Sequence, residues 1–256
     1  MQRFYIDVLH THKAGNFASE YEDAFWPPQP CRKPADEPLR VAVADGATDA
    51  MYSGVWARLL VRAYANRGMT GETADAELGK AGRIWTRVVG SKSVPWYAEE
   101  KASKGAYAAL VGVELTRKGG TDGGDWTAFA CGDCCCFQLR SDAVIHSFPI
   151  SRSEEFGNTP LLLGSHPGSR GLEGMRAASG TWKEGDCFYL MSDALAAWFL
   201  AQCEAGIVPW QCLRDVTLAQ KPAFDEWISD MRRRQAIKND DCTLVAISFE
   251  HSADAR

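Results

Sequence analysis

No stretch of the chain is long and apolar enough to suggest a membrane span. No run reaches 18 apolar residues, and the nearest approach, CFYLMSDALAAWFLAQC (187–203), carries Asp193 in its middle. The opening MQRFYIDVLHTHKAG lacks the apolar core of a secretory leader, because Arg3, Asp7, His10, His12 and Lys13 interrupt it. Positive charge is in short supply: 28 Lys and Arg against 33 Asp and Glu give a net charge of −5. That balance argues against a nucleic-acid partner, and the one basic run is Arg232, Arg233 and Arg234. Internal repeats and a compositional break marking a second domain are both missing. The nine cysteines are odd in number, which excludes a complete disulfide framework. Without a leader they point to a reducing compartment, so the expected location is the cytoplasm. A chain of 256 residues supports one sizeable core. The organisation expected is a single domain over 1–250 with a short tail, 251–256.

What is present is a series of short apolar runs with punctuation. Residues 3–9 alternate as a strand, and 10–20 read as a turn around Gly15 and Asn16. Five prolines make 27–38 a loop. RVAVAD (40–45) is a buried strand stopping at Asp-Gly. Val55, Leu59, Leu60 and Ala63 then repeat at helical spacing; Gly68 ends that helix and Thr70 is placed to cap a second. Residues 95–107 read as a third helix leading into the strand AALVGVEL. WTAFAC, CCCFQLR and AVIHSF are further strands. Residues 150–182, rich in Gly, Ser and Pro, read as a long irregular loop, a type that is usually functional. CFYLMSD is a strand ending in Asp, 194–204 and 222–234 are helices, and TLVAISF (243–249) is the closing strand. Two blocks of helices among antiparallel-looking strands predict two sheet layers with helices outside.

Three aspartates share one context. Asp45 ends RVAVAD, Asp193 ends CFYLMS, and Asp240 lies just before the last strand. Carboxylates seldom end buried strands. If several such ends met at one rim, like charges would disfavour ionisation unless a hard cation intervened, and oxygen ligands suit Mg²⁺ or Mn²⁺. A single such Asp is better explained as the cap of a turn or helix; three together shift the balance toward metal.

Five segments occur in an order and spacing that narrow the choice: EYEDAFW (20–26), VAVADGAT (41–48), CGDCCCFQLR (131–140), FYLMSDAL (188–195) and NDDCTLV (239–245). Together they resemble the motifs of the metal-dependent type 2C Ser/Thr protein phosphatases, in a bacterial style, along nearly the whole chain. The resemblance implies an α+β, four-layer αββα sandwich of two antiparallel sheets flanked by helices. It also implies two Mg²⁺ or Mn²⁺ ions, with a third held more weakly. On the matching positions Asp45 would bridge both ions, and Asp193 and Asp240 would complete the shell of one. Gly46 would give its carbonyl to the other. Glu22 and Asp23 would act through bound waters, and Asp133 would serve the third ion. The implied reaction is hydrolysis of phosphomonoesters on a phosphorylated protein by a metal-activated hydroxide, opposing a Ser/Thr kinase. Asp45, Asp193 and Asp240 are the catalytic set.

The chain departs from the motifs in three places. The phosphate-holding Arg that many members carry before the acidic motif aligns with Ala18. DGAT lacks the His found in some eukaryotic members, and Ala194 replaces the Gly of Ser-Asp-Gly. Lys13, on the turn before the acidic motif, is the candidate substitute for the missing Arg. These departures keep open a second reading, a weak or inactive relative that senses phosphate or acts as a scaffold. The cluster Cys131, Cys134, Cys135 and Cys136 lacks a second close pair, so it reads as small buried side chains and not as a zinc site. Cys134 and Cys136 are expected on one face and Cys135 on the other. Arg232, Arg233 and Arg234 suit a helix C-terminus.

Overall fold

Apolar residues alternating along each strand determine which face meets which layer. The computed structural model describes residues 3–48, 50–91, 104–157 and 159–249. The expected helix over 95–107 and the tail 251–256 lie largely or wholly outside them. The elements, in chain order, are β1 (Arg3–Thr11), β2 (Ala24–Trp26), β3 (Cys31–Pro34), β4 (Leu39–Gly46), α1 (Ser53–Arg67), α2 (Ala74–Gly90), β5 (Tyr107–Arg117) and β6 (Gly123–Cys131). After them come β7 (Cys135–Arg140), β8 (Ala143–Phe148), β9 (Leu163–Gly164), β10 (Arg176–Lys183), β11 (Cys187–Met191), α3 (Asp193–Glu204), α4 (Pro209–Arg233) and β12 (Cys242–Phe249). One sheet runs β3-β1-β12-β11-β7-β8. The other runs β10-β6-β5-β4-β2, with β9 added against β5. Strand pairs among the described residues are antiparallel, for example Val8 opposite Val245 and Val43 opposite Val111.

The layers follow from parity. On β4, Val41 and Val43 point between the sheets while Ala42 and Ala44 point at the helices. On β12, Val245 and Ile247 join the inter-sheet core while Leu244 and Ala246 meet α3 and α4. Trp56, Leu60 and Tyr64 of α1 and Leu78 and Trp85 of α2 cover the second sheet. Phe199, Leu213, Phe224 and Ile228 cover the first. Each fully buried Leu, Ile or Phe contributes about 1.5–3 kcal/mol. Gly112 on β5 is required by this packing, since a Cβ there would stand 2.5 Å from the ring of Tyr64. The result is the αββα sandwich expected from the strand pattern and the motifs.

Four local expectations need correction. Cys31–Pro34, inside the proline-rich stretch, pairs with β1 as a short edge strand, where proline is tolerated. The residue before α2 is Thr73, not Thr70; the hydroxyls of Thr70 and Thr73 bond each other in the preceding turn. The irregular loop after 150 ends at 175, because Arg176–Lys183 pairs along β6. Its small, mostly exposed residues give it little apolar alternation. The helix expected over 222–234 is the second half of α4, which breaks at Gln220 (φ 70°) ahead of Pro222. The cysteines divide as expected: Cys134 and Cys136 lie in the inter-sheet core and Cys135 on the helix side.

Candidate metal centre

The parity that buries Val41 and Val43 between the sheets aims Asp45, two residues on, into the gap where the sheets end. There it opens onto a cleft of about 470 Å³ lined by Asp45, Gly46, Asp133, Asp193, Lys238 and Asp240. Asp45 and Gly46 come from one sheet. Asp193 follows β11 and Asp240 precedes β12, both of the other. Asp133 sits in the turn joining β6 to β7, so it spans the two.

The acidic segment packs behind Asp45. Gly46 approaches it so closely that a Cβ would stand 2.8 Å from the Ser53 carbonyl carbon and 2.9 Å from the Glu22 carbonyl oxygen. The Ser53 hydroxyl at the start of α1 donates to Glu22 Oε1. Burial raises the Glu22 pKa, against the pull of the Ser53 and Thr48 hydroxyls. Asp23 is 1% exposed. Its Oδ2 accepts from Thr243 Oγ1 at 2.6 Å, while its Oδ1 has no hydrogen-bond partner. Burial pushes its pKa well up, the Asp241 and Asp193 charges adding to the rise and the Thr243 and Ser192 hydroxyls opposing it.

A second buried carboxylate shows how unusual this is. Asp186 is also 1% exposed. It accepts from Arg140 Nε at 2.8 Å, Arg140 Nη2 at 2.8 Å, Gln138 Nε2 at 2.8 Å and the Lys183 amide at 2.9 Å. That carboxylate is structurally complete; Asp23 is half-satisfied, at a cost unless something further pairs with it.

Charge accumulates above Asp23. Burial and then the charges of Asp23, Asp193, Asp133 and Asp240 push the Asp45 pKa well above the carboxylate range. Burial and Asp193 raise that of Asp133 to about 6. Lys238 Nζ lies 3.1 Å from Asp193 Oδ2 and 2.8 Å from Asp240 Oδ2. Burial alone would lower its pKa, but the bond to Asp240 and the charges of Asp193 and Asp240 more than reverse this and raise it. Among the described residues no three His, Cys, Asp or Glu groups are drawn together tightly enough to hold an ion. The donors are nonetheless of one kind, carboxylate and backbone oxygens. With the orphaned Asp23 Oδ1 beneath them, they fit a hard divalent cation.

The seven positions named for metal therefore fall in one neighbourhood, Glu22 and Asp23 behind the cleft and the other five lining it. Lys13 also reaches it: its Nζ is 4.0 Å from Asp240 Oδ1 and its amide donates to Asp241 Oδ1 at 2.8 Å. Ala18 faces elsewhere, onto a separate hollow with His10, His12, Tyr21, Lys221 and Arg232. His10 packs its ring 5.0 Å from those of Tyr21 and Phe25. Arg232 turns back from the C-terminal end of α4 to donate to the carbonyls of His12, at 3.0 Å, and Asp240.

Several residues that organise the cleft were not visible in the sequence pattern. Asp241 Oδ2 accepts from the Glu22 amide at 2.6 Å and its Oδ1 from Lys13, so one carboxylate joins the acidic segment and the preceding turn to β12. The Thr243 amide donates to Ser192 Oγ at 3.0 Å, and its hydroxyl meets that of Tyr21. The doubled Asp of NDDCT was the available signal for Asp241. Nothing in the spacing singled out Lys238.

A sandwich of paired sheets with an acidic mouth at one edge defines the class of molecule. A family model for protein phosphatase 2C matches residues 21–246, and the chain belongs to that family. Its fold is shared by the catalytic domain of serine threonine protein phosphatase PstP, solved with two manganese ions. That likeness has 14% identity and a TM-score of 0.59, covering 98% of this chain and 100% of that one. PppA, described as a regulatory component of the type VI secretion system in Pseudomonas aeruginosa, gives 15% identity and a TM-score of 0.54 over 96% and 98%. RsbX in complex with magnesium gives 14% identity and a TM-score of 0.51 over 97% and 96%. At these identities the likeness establishes the fold. No curated protein matches by sequence.

Proposed function

We propose that the chain is a Mg²⁺- or Mn²⁺-dependent phosphoprotein phosphatase that hydrolyses Ser/Thr phosphomonoesters. The observation that carries this reading is the meeting of Asp45, Asp133, Asp193 and Asp240 at one cleft, above a buried Asp23 with an unpaired oxygen. Asp45 would bridge two ions, Asp193 and Asp240 would complete one shell, and the Gly46 carbonyl would serve the other. Asp133 would hold a third, weaker ion. The manganese and magnesium of the PstP and RsbX structures support that choice of metal. When bound, the ions supply neutralisation of phosphate charge and a water acidic enough to attack phosphorus.

The chain's own residues supply position. Glu22 and Asp23 would act on the ions through bound waters, and the Ser53 and Thr243 hydroxyls hold these two carboxyls in place. Lys13 meets the substrate phosphate as a point charge, without the fork an arginine would offer. Gly157, Thr159 and Pro160 belong both to this cleft and to an adjoining hollow of about 310 Å³ that reaches Glu155 and Glu173. The segment after 150 therefore walls the approach and selects the protein substrate. The unit is one domain over 1–250, working in the cytoplasm against a Ser/Thr kinase, with no nucleic acid and no membrane as partner. No helix among the described residues is long and apolar enough to cross a membrane.

The test is hydrolysis of p-nitrophenyl phosphate with added Mn²⁺, with chelator, and by Asp45→Asn. Activity is expected with Mn²⁺ alone, and the variant should lose orders of magnitude in turnover. A wild-type rate in Asp45→Asn would refute the two-metal reading. No turnover by the native chain, with phosphate still bound, would favour the sensing relative.

A further inference from the structure

Lys238 stands two residues before Asp240, on the connection from α4 to β12. Its ammonium touches carboxylates from two separate strand ends, Asp193 at 3.1 Å and Asp240 at 2.8 Å. The side chain is nevertheless 64% exposed. These are the two carboxylates assigned above to one ion, so the ammonium supplies the counter-charge that ion would supply. An ammonium and a divalent cation repel at such distances, so each weakens the other's hold on these carboxylates. The lysine is free to leave: its four-carbon stem is flexible, its ammonium hydrates well, and exposed ion pairs are weak. Lys13, 4.0 Å from Asp240 Oδ1 but tied through its amide to Asp241, is a poorer candidate for the same role.

We propose that Lys238 is an exchangeable internal cation, which holds Asp193 and Asp240 together until a divalent ion displaces it. The inference rests on the metal-site reading of these aspartates. Two consequences follow. The pair stays half-neutralised between metal-loading events, so Asp193 and Asp240 do not drive each other apart. The affinity for metal is also set lower than the carboxylates alone would give, which makes occupancy follow the free divalent ion concentration.

The test uses the full chain, with Mn²⁺ as the probe and binding read by calorimetry. Lys238→Met keeps the stem and removes the charge; Lys238→Gln is the second variant should the first fold poorly. Each is expected to bind Mn²⁺ at least about tenfold more tightly than the native chain, about 1.4 kcal/mol. In chelator each should melt at a lower temperature, with Lys238→Arg close to native in both measurements. Asp240→Asn separates the two ideas. If the native chain binds no Mn²⁺, or Asp240→Asn binds it equally well, the metal-site reading fails and the inference with it. If Asp240→Asn weakens binding but Lys238→Met and Lys238→Gln bind no more tightly than the native chain, the inference alone is overturned.

Discussion

Thr243→Val tests how much the hydroxyl beneath Asp23 contributes to holding the acidic segment. Thr243 is fully buried and Asp23 is 1% exposed. The Thr243 hydroxyl donates to Asp23 Oδ2, Oδ1 has no well-formed hydrogen bond, and the Ser192 hydroxyl is the other polar group that acts on this carboxyl. Valine has nearly the same shape, keeps the amide bond to Ser192 Oγ and opens no cavity. It takes from the buried carboxyl its one well-formed hydrogen bond, which costs about 2 kcal/mol, and removes a partner of the Tyr21 hydroxyl, about 1 kcal/mol more. The sum, about 3 kcal/mol, should lower the melting temperature by roughly 6–12 °C for a chain of this size. Urea titrations at pH 7 in chelator measure it directly. A double-mutant cycle isolates the cause: in an Asp23→Ala background Thr243→Val should cost only about 1 kcal/mol, leaving a coupling of about 2 kcal/mol. Equal costs in both backgrounds would show that Thr243 acts through packing, and the argument would be wrong.

Three further outcomes are expected. Asp23 and Asp45 are raised well above, and Asp133 to about 6 from, an unfolded value near 3.9. The folded chain therefore holds protons that the unfolded chain has released, and stability should fall as pH rises from about 4 through 6 and beyond. Melting curves in chelator from pH 5 to 8 check this; a rising melting temperature contradicts it, and added Mn²⁺ should flatten the trend. Lys13→Ala should raise KM for a small phosphomonoester and leave kcat nearly unchanged; no change in either constant removes Lys13 from substrate binding. Elemental analysis of protein purified without added metal should find far less than one zinc per chain, and stoichiometric zinc lost with folding in Cys134→Ser/Cys136→Ser would reverse the reading of the cysteines.

The strands were legible because burial on both faces leaves strong sequence traces. Val41, Val43, Val245 and Ile247 are β-branched, alternate in facing and end at polar punctuation. The layer order followed from them and from the spacing of Val55, Leu59, Leu60 and Ala63. The carboxylates of the cleft were legible because Asp45 and Asp193 interrupt such runs at their ends. What escaped was whatever depends on one chance neighbour in space. Arg176–Lys183 carries little apolar pattern and is a strand only because β6 offers it an edge. Asp241, Thr243 and Ser192 act across about 50 to 230 positions of sequence, and no periodicity records such pairs. Lys238 reads as a solvated lysine until Asp193 is folded next to it.

The mouth carboxylates are divided between the sheets, Asp45 on one and Asp193 and Asp240 on the other. At the opposite end of β12 the rings of Phe4, Trp182 and Phe249 lock the same two sheets together, Trp182 and Phe249 stacked at 4.5 Å. The sandwich is thus fastened like a clothes-peg, with an aromatic spring at the back and jaws that carry like charge. Lys238 joins two teeth of the same jaw and does nothing to draw the jaws together. A cation held by Asp45 together with Asp193 or Asp240 would pull on both sheets at once, so metal loading should be felt in the inter-sheet core near Val43 and Val245.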